Sequence, residues 1–406
     1  MTEAANTAAG NRYRAALSVP GALGFVIPGI LARLPIGMTG ISILLFVSAV
    51  RHEYGTAGAL SATSAVGFAV TAPQLARVAD RIGQYRILLA CAVLCGTSGA
   101  VLVVCVLHDA PLWTLFGSAA VLGATTPAIS SMVRARWSAL LAGSPILPTA
   151  FALEAVADEL IFIAGPVIAT FLATGVHPAA GVVCSLALVV GGSLVLATRR
   201  RTEPPLAAGP RATGSALFLG PVLVIAGINV CFGAMWGSID IGTVAFTAEQ
   251  HQPWLAGLLL AGYGIGSSVA GLAYGAREWG VPAVRILHVS TGLMAIGIAP
   301  MLVVHHLGLG AVVLFVAGAA SCPAMVAGML LVQDGVPAAR RTEAMTWQAS
   351  AIWLGVAIGS SVSGHLADTH GAHAGYAVSV LSGVLALAVA TLGRRRVAPG
   401  PAKALA

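Results

Sequence analysis

Charge is scarce in this 406-residue chain: Asp, Glu, Lys and Arg together make up 9%, and lysine occurs once, at Lys403. A soluble domain carries about 25% charged residues, so a water-facing surface of ordinary extent is excluded. The lack of lysine also excludes a nucleotide loop of the P-loop kind, which needs a lysine on the phosphates. ATP-driven pumping by this chain is thereby set aside. The glycine run Gly262-Tyr-Gly264-Ile-Gly266 lies inside an apolar stretch and suits close helix contact rather than phosphate binding. No polar stretch exceeds about twenty residues, too short to fold as an extramembrane domain. Residues 1–10 are polar and small, with no basic start leading into a short apolar core, so no cleavable signal is expected. Cys91, Cys95, Cys105, Cys184, Cys231 and Cys322 all fall inside apolar runs and read as small core residues, not disulfides or metal ligands. No cofactor and no metal site is expected.

What the chain has is apolar side chain, 58% of residues, with a mean hydropathy of +0.92. That points to an all-α integral membrane protein in contact with the lipid bilayer. Apolar runs cover 19–50, 57–78, 87–107, 112–133, 148–173 and 178–197, and then 217–247, 253–274, 286–304, 307–332, 344–365 and 374–392. Each is about 20 residues or longer, the length a bilayer core requires. Twelve transmembrane helices are therefore predicted, in two six-helix bundles over 19–198 and 217–393. They are joined by a linker over 199–216 and flanked by tails over 1–18 and 394–406. With both termini cytoplasmic, 19 of the 21 basic residues fall on the cytoplasmic side. Arg134 and Arg136 are counted among them; Arg33 lies within a span and Arg51 outside. The net charge of +7 is thus spent on topology, and no nucleic-acid partner is expected.

The two halves resemble each other. Ala57-Gly58, Gly67 and Arg86-Ile87-Leu88 recur as Ala256-Gly257, Gly266 and Arg285-Ile286-Leu287; Ala150, Glu154-Ala155 and Gly165 recur as Ala344, Gln348-Ala349 and Gly359. Six-helix halves of the same topology imply a parallel repeat about an axis along the membrane normal.

Between the second and third runs lies a charged hinge, Asp80-Arg81-Ile82-Gly83-Gln84-Tyr85-Arg86. Gly83 permits the turn, and Asp80 can accept from a helix N-terminus or an arginine. With Leu88 this stretch resembles the signature loop of the major facilitator superfamily of secondary transporters, Gly-x-x-x-Asp-Arg-x-Gly-x-x-Arg-x-x-Leu. Asp80, Arg81, Gly83 and Arg86 match; Ala76 stands where the family has Gly, and in the second half Trp279 stands where the Asp would be. The resemblance covers essentially the whole chain. It implies a cavity between two bundles, alternating access by rocking, a functional monomer, and a gate role for the loop. Gly165-Pro166 is similar to the core of a motif associated with the family's antiporters.

Charges inside the spans are the candidate coupling or substrate groups. Arg33 lies about fourteen residues into the first span, and Asp158 and Glu159 lie about ten into the fifth, near the middle of a bilayer core. Glu154 and Asp158 share a helix face, with Glu159 turned about 100° from it. The first and fifth helices are neighbours in the family fold, so Arg33 is expected to pair with Asp158 or Glu159. Asn229 is the second-half counterpart of Arg33, Asp240 sits further along that helix, and Gln348 is the counterpart of Glu154. Trp347 and Trp353 share the helix of Gln348. His365, Asp368, His370 and His373 crowd the last outside loop, which reads as solvated.

The expected function is a secondary transporter, not an enzyme: proton-coupled efflux of a lipophilic drug or metabolite across a bacterial plasma membrane, with a small molecule and protons as partners. The alternative is an importer or facilitator of a small polar or anionic metabolite. A membrane-embedded enzyme or receptor would need a catalytic dyad, a metal cluster or an extramembrane domain, none of which the sequence offers.

Overall fold

The structure is a computed structural model that describes residues 12–51, 54–206, 214–252 and 255–397. The leading residues 1–11, Arg211 of the linker, and the tail with Lys403 lie outside the described residues, as does the side chain of Asp368. Every regular element among the described residues is helical. A short helix over residues 12–18, α1, precedes α2 (Ala22–Arg51), α3 (Tyr54–Ile82), α4 (Gln84–Leu107), α5 (Leu112–Thr125), α6 (Ile129–Leu140), α7 (Leu147–Gly175) and α8 (Ala180–Thr198). The second half holds α9 (Gly220–Glu249), α10 (Ala256–Gly275), α11 (Ala283–Ile298), α12 (Leu307–Gly318), α13 (Ser321–Gly335), α14 (Arg341–His370) and α15 (Ala372–Val397).

Eleven of these helices or helix pairs are long and apolar enough to cross a membrane. The other long helix, α3, has 29 residues, enough at about 1.5 Å per residue. Its apolar content is diluted by Ser, Thr and Gly and by Arg77, Asp80 and Arg81 at its end. Two of the expected spans are broken. The run over 112–133 divides into α5 and α6 at Thr126-Pro127, where proline has no N–H to continue the ladder. The run over 307–332 divides into α12 and α13 at Ala319-Ala320, just before Pro323. Averaging hydropathy over a span hides both breaks.

Contacts divide the chain into two units. One comprises residues 17–142 and 157–210. In it α2 packs on α8, α3 on α5, and α4 on both α5 and α8. Ile43, Phe46, Leu60, Leu102 and Leu115 form part of its dry core. Close approach needs small residues: a Cβ on Gly123 of α5 would run into the Ser64 carbonyl of α3.

The other unit comprises residues up to 16, 143–156, and 211 onward. Here α9 packs on α14 and α15, α10 on α12, and α11 on α13 and α15, around Phe232, Phe246, Met294 and Tyr376. The first turns of α7 belong to this unit. Thr149 Oγ1 donates to the Gly275 carbonyl at 2.5 Å, and Tyr13 Oη donates to the Leu272 carbonyl at 2.7 Å. Burial pushes the Tyr13 phenol well above its usual range, so it stays a neutral donor. Arg12 adds an ion pair to Glu278 at 3.0 Å. All six cysteines are unbridged.

Candidate functional site

Helix α2 carries Arg33 with no solvent exposure. Its Nε donates to the Gly29 carbonyl one turn back, at 3.1 Å, which fixes the guanidinium beside its own helix. One terminal nitrogen then reaches Asp158 Oδ1 on α7 at 2.9 Å. The expected pairing is therefore made with Asp158. Glu159, the next residue on α7, is half-buried and turned about 100° around the helix from Asp158.

Asp158 has further partners that the charge count concealed. Arg134 of α6 donates to Asp158 Oδ2 at 2.5 Å, and Ser130 Oγ, one turn earlier on α6, lies 3.4 Å from Oδ1. Arg134 was assigned to a cytoplasmic segment on its charge; instead it is buried in a helix. The break at Pro127 makes this helix, and the spacing of Ser130 and Arg134 by four is the signal that places both on one face. The Arg134 Nε is buried with no acceptor among the described residues. Asp158 keeps 24% exposure, while the Arg33 and Arg134 side chains keep 0% and 9%. One carboxylate is thus held by two buried guanidiniums from two other helices.

The α2–α7 approach that permits this is made by two glycines. A Cβ on Gly165 would lie 2.8–3.1 Å from the backbone of Gly37, and one on Gly37 would lie 2.6 Å from the Ile161 carbonyl. Gly165 therefore has a packing role, with Pro166 following it inside α7. Glu154, one turn before Asp158 and fully buried, belongs with the other unit.

In that other unit Asn229 of α9 donates to the Gln348 carbonyl of α14 at 3.4 Å, and both are buried. The Gln348 Nε2 has no acceptor among the described residues. Asp240 lies three turns further along α9 and is exposed, so it does not join them. Trp347 Nε1 donates to Ser215 Oγ at 3.1 Å, a packing role, and Trp353 is exposed.

The hinge is organised by groups from far along the chain. Gly83, at φ 97°, precedes α4 and offers no side-chain cap. Glu203 supplies it: its Oε1 accepts from the Tyr85 N–H at 3.1 Å, a carboxylate at a helix N-terminus. The Arg200 guanidinium lies 3.6 Å over the Tyr85 ring. Beneath them Arg136, also placed by its charge in a cytoplasmic segment, is fully buried in α6. It donates to Gln84 Oε1 at 2.8 Å, to the Arg199 carbonyl and Thr202 Oγ1 at 2.9 Å each, and to the Leu196 carbonyl at 3.2 Å. Arg81 and Arg86 are exposed and Asp80 is half-buried at the end of α3.

The outside-loop histidines are also relocated: His365 and His370 continue α14, while His373 Nε2 meets His305 Nδ1 at 3.2 Å. Among the described residues no three or more His, Cys, Asp or Glu side chains are placed to hold a metal ion.

Apolar helices long enough to cross a membrane, with an ion cluster buried among those of one unit, define a polytopic membrane protein, and comparison with known proteins gives its family. A family model described as Major Facilitator Superfamily matches residues 29–277 and 225–405. The chain belongs to the major facilitator superfamily, whose members are transporters and not enzymes. No curated protein matches the sequence. Among solved structures, the human organic anion transporter MFSD10 is 16% identical with a TM-score of 0.68, over 92% of this chain and 100% of that one. A bacterial homologue of the iron transporter ferroportin, in its outward-facing state, is 14% identical with a TM-score of 0.72, over 92% and 99%. The fucose:proton symporter FucP of E. coli is 11% identical with a TM-score of 0.71, over 93% and 99%. At these identities the likeness is one of fold.

Proposed function

We propose that this transporter is coupled to protons through Asp158. The observation that carries the reading is the bridge from Arg33 to Asp158 to Arg134, three charges from three helices in an apolar bundle. A purely structural membrane protein has little use for it, because breaking such a cluster costs several kcal/mol and apolar packing would serve as well. A carboxylate at the hub of a two-arginine clamp has two discrete arrangements, ionised and held, or protonated and released. That is the bistable element coupling requires. Glu159, adjacent and half-buried, is the second protonatable group of the site.

The transported molecule is a small molecule with an apolar body, a reading supported by helices rich in Ala, Gly and Val. Export, the direction the antiporter-like Gly165-Pro166 favours, has weaker support now that Gly165 has a packing role against Gly37. The arginine distribution supports a plasma-membrane protein with both termini cytoplasmic. The family resemblance supports a monomer.

The test is accumulation of a panel of labelled small molecules in cells expressing wild type, Asp158→Asn or Glu159→Gln at equal levels. Wild type is expected to shift the level of at least one compound in a protonophore-sensitive way, and Asp158→Asn to lose that shift. Protonophore-sensitive transport that survives in Asp158→Asn would contradict the assignment.

A further inference from the structure

We propose that the substrate carries an oxyanion, a carboxylate or sulfonate, which takes the place of Asp158 on Arg33 and Arg134 and moves in the same direction as the proton. The inference rests on the coupling role of Asp158 and adds to it the chemistry of what is bound.

Two guanidiniums face one carboxylate, so the three groups together carry one positive charge in excess. A planar guanidinium fork fits an oxyanion with paired hydrogen bonds, which an ammonium does not. Asp158 is the anion resident in that site, accepting from Arg33 on one oxygen and from Arg134 on the other. The Arg134 Nε is a further buried donor for which no acceptor exists among the described residues. A ligand oxygen supplies it. Asp158 is also the exposed member of the cluster, at 24% against 0% and 9%, so an incoming anion meets the carboxylate first and reaches the arginines as it leaves.

The charge balance sets the coupling. A proton that binds the Asp158 carboxylate removes its negative charge and releases both guanidiniums. One monoanion then restores the net charge of the cluster to its starting value. Proton and anion therefore favour one another's binding by the same factor, as linkage requires. Among the described residues the groups bonded to Asp158 are Arg33 from α2 and Arg134 and Ser130 from α6, and Glu159 follows it on α7. Asp158 gives up one negative charge when it leaves, so a ligand of higher charge would overfill the site, which leaves the monoanion as the fitting class. A cationic substrate would have to draw Asp158 away from both arginines and leave two buried positive charges behind.

The full-length protein is purified in a non-ionic detergent without added lipid. Benzoate and benzenesulfonate are titrated in, with benzamide and benzylamine as the neutral and cationic ligands of similar shape. Binding is read by thermal stabilisation, and proton uptake by an indicator in weak buffer near about pH 7, where a free carboxylic acid is ionised. Wild type is expected to bind at least one anion in preference to benzamide, with alkalinisation of the medium. Asp158→Asn lacks the resident competitor and is expected to bind it about tenfold more tightly or better, with no proton uptake. Arg134→Gln is expected to lose the binding. It decides the matter against wild type should Asp158→Asn fail to fold.

If neither anion outcompetes benzamide in wild type and in whichever variant folds, or if benzylamine binds best, the substrate class is overturned. Should the anion bind Asp158→Asn tightly while wild type takes up no proton, the coupling reading falls and the anion site stands. Loss of protonophore-sensitive transport in Asp158→Asn with no anion binding anywhere sinks the anion site and leaves the coupling.

Discussion

Replacing Arg136 tests whether the hinge is held from below as the geometry indicates. The side chain is fully buried and donates to Gln84 Oε1, Thr202 Oγ1 and the carbonyls of Leu196 and Arg199, at 2.8–3.2 Å. Hydrogen bonds from a charged donor contribute about 1.5–3 kcal/mol each, and a buried acceptor left bare costs about 1–3 kcal/mol. Those figures do not simply add. The Leu196 carbonyl keeps the Arg199 N–H, and the Arg199 carbonyl keeps the Thr202 hydroxyl. Two of the four acceptors thus retain a donor after truncation. The expected loss for Arg136→Ala is therefore about 4 kcal/mol, within the range found when one side of a buried charged network is removed. Set against a total stability of about 5–15 kcal/mol, that is a large fraction. Arg136→Lys keeps the charge but lacks the fork and is expected to recover less than half of the loss. The assay is unfolding of the purified protein in mixed micelles of increasing denaturing-detergent fraction, followed by tryptophan fluorescence. If Arg136→Ala does not accumulate, Arg136→Lys is measured alone and should still fall well below wild type. A change under about 1 kcal/mol in either variant would refute the network as a support for the hinge, since that is the scale of an exposed contact.

Gly83→Ala forces a left-handed backbone and puts a Cβ 2.7 Å from Glu203 Oε1; about 1–3 kcal/mol of stability should be lost, read as a lowered melting temperature. Glu203→Ala removes the cap on α4 and should cost about 1 kcal/mol in the same assay, with a smaller effect in high salt. Gly123→Ala, which pushes a methyl into the Ser64 carbonyl, should impair folded yield far more than Gly117→Ala, whose Cβ would meet open space. Arg33→Ala leaves Asp158 paired with Arg134 but without a charged partner on its other oxygen and should destabilise by about 1.5–3 kcal/mol; the loss should shrink in an Asp158→Asn background, where that ion pair is already gone.

Much of this molecule was written in its apolar runs. Each expected span corresponds to a helix or a broken pair of helices, because burial in lipid demands about 20 apolar residues whatever their order. The breaks at Thr126-Pro127 and Ala319-Ala320 were less legible, since a run's mean hydropathy does not register where a ladder stops. The pairing of Arg33 with Asp158 could be read because a buried charge must find its opposite. The role of Arg134 could not be read from charge alone: an arginine near a span end looks the same whether it faces water or turns inward. Its spacing from Ser130, in a segment with Met132, Val133 and Trp137 buried, was the available sign. The burial of Arg136 was illegible for the same reason. Capping of α4 by Glu203 is a contact over more than a hundred residues and leaves no local pattern. Glu343, buried and accepting from Ser215 Oγ and the Ala216 N–H, is a similar long-range cap in the other unit.

The account turns on whether Asp158 is the group that takes up and gives back the proton. Infrared difference spectroscopy of the reconstituted protein reads this directly, because a protonated carboxylic acid has a carbonyl stretch that its carboxylate lacks. On acidification a band of this kind should appear in wild type and in Glu159→Gln, and be missing from Asp158→Asn. A band that persists in Asp158→Asn and vanishes in Glu159→Gln would move the coupling to Glu159 and contradict the account.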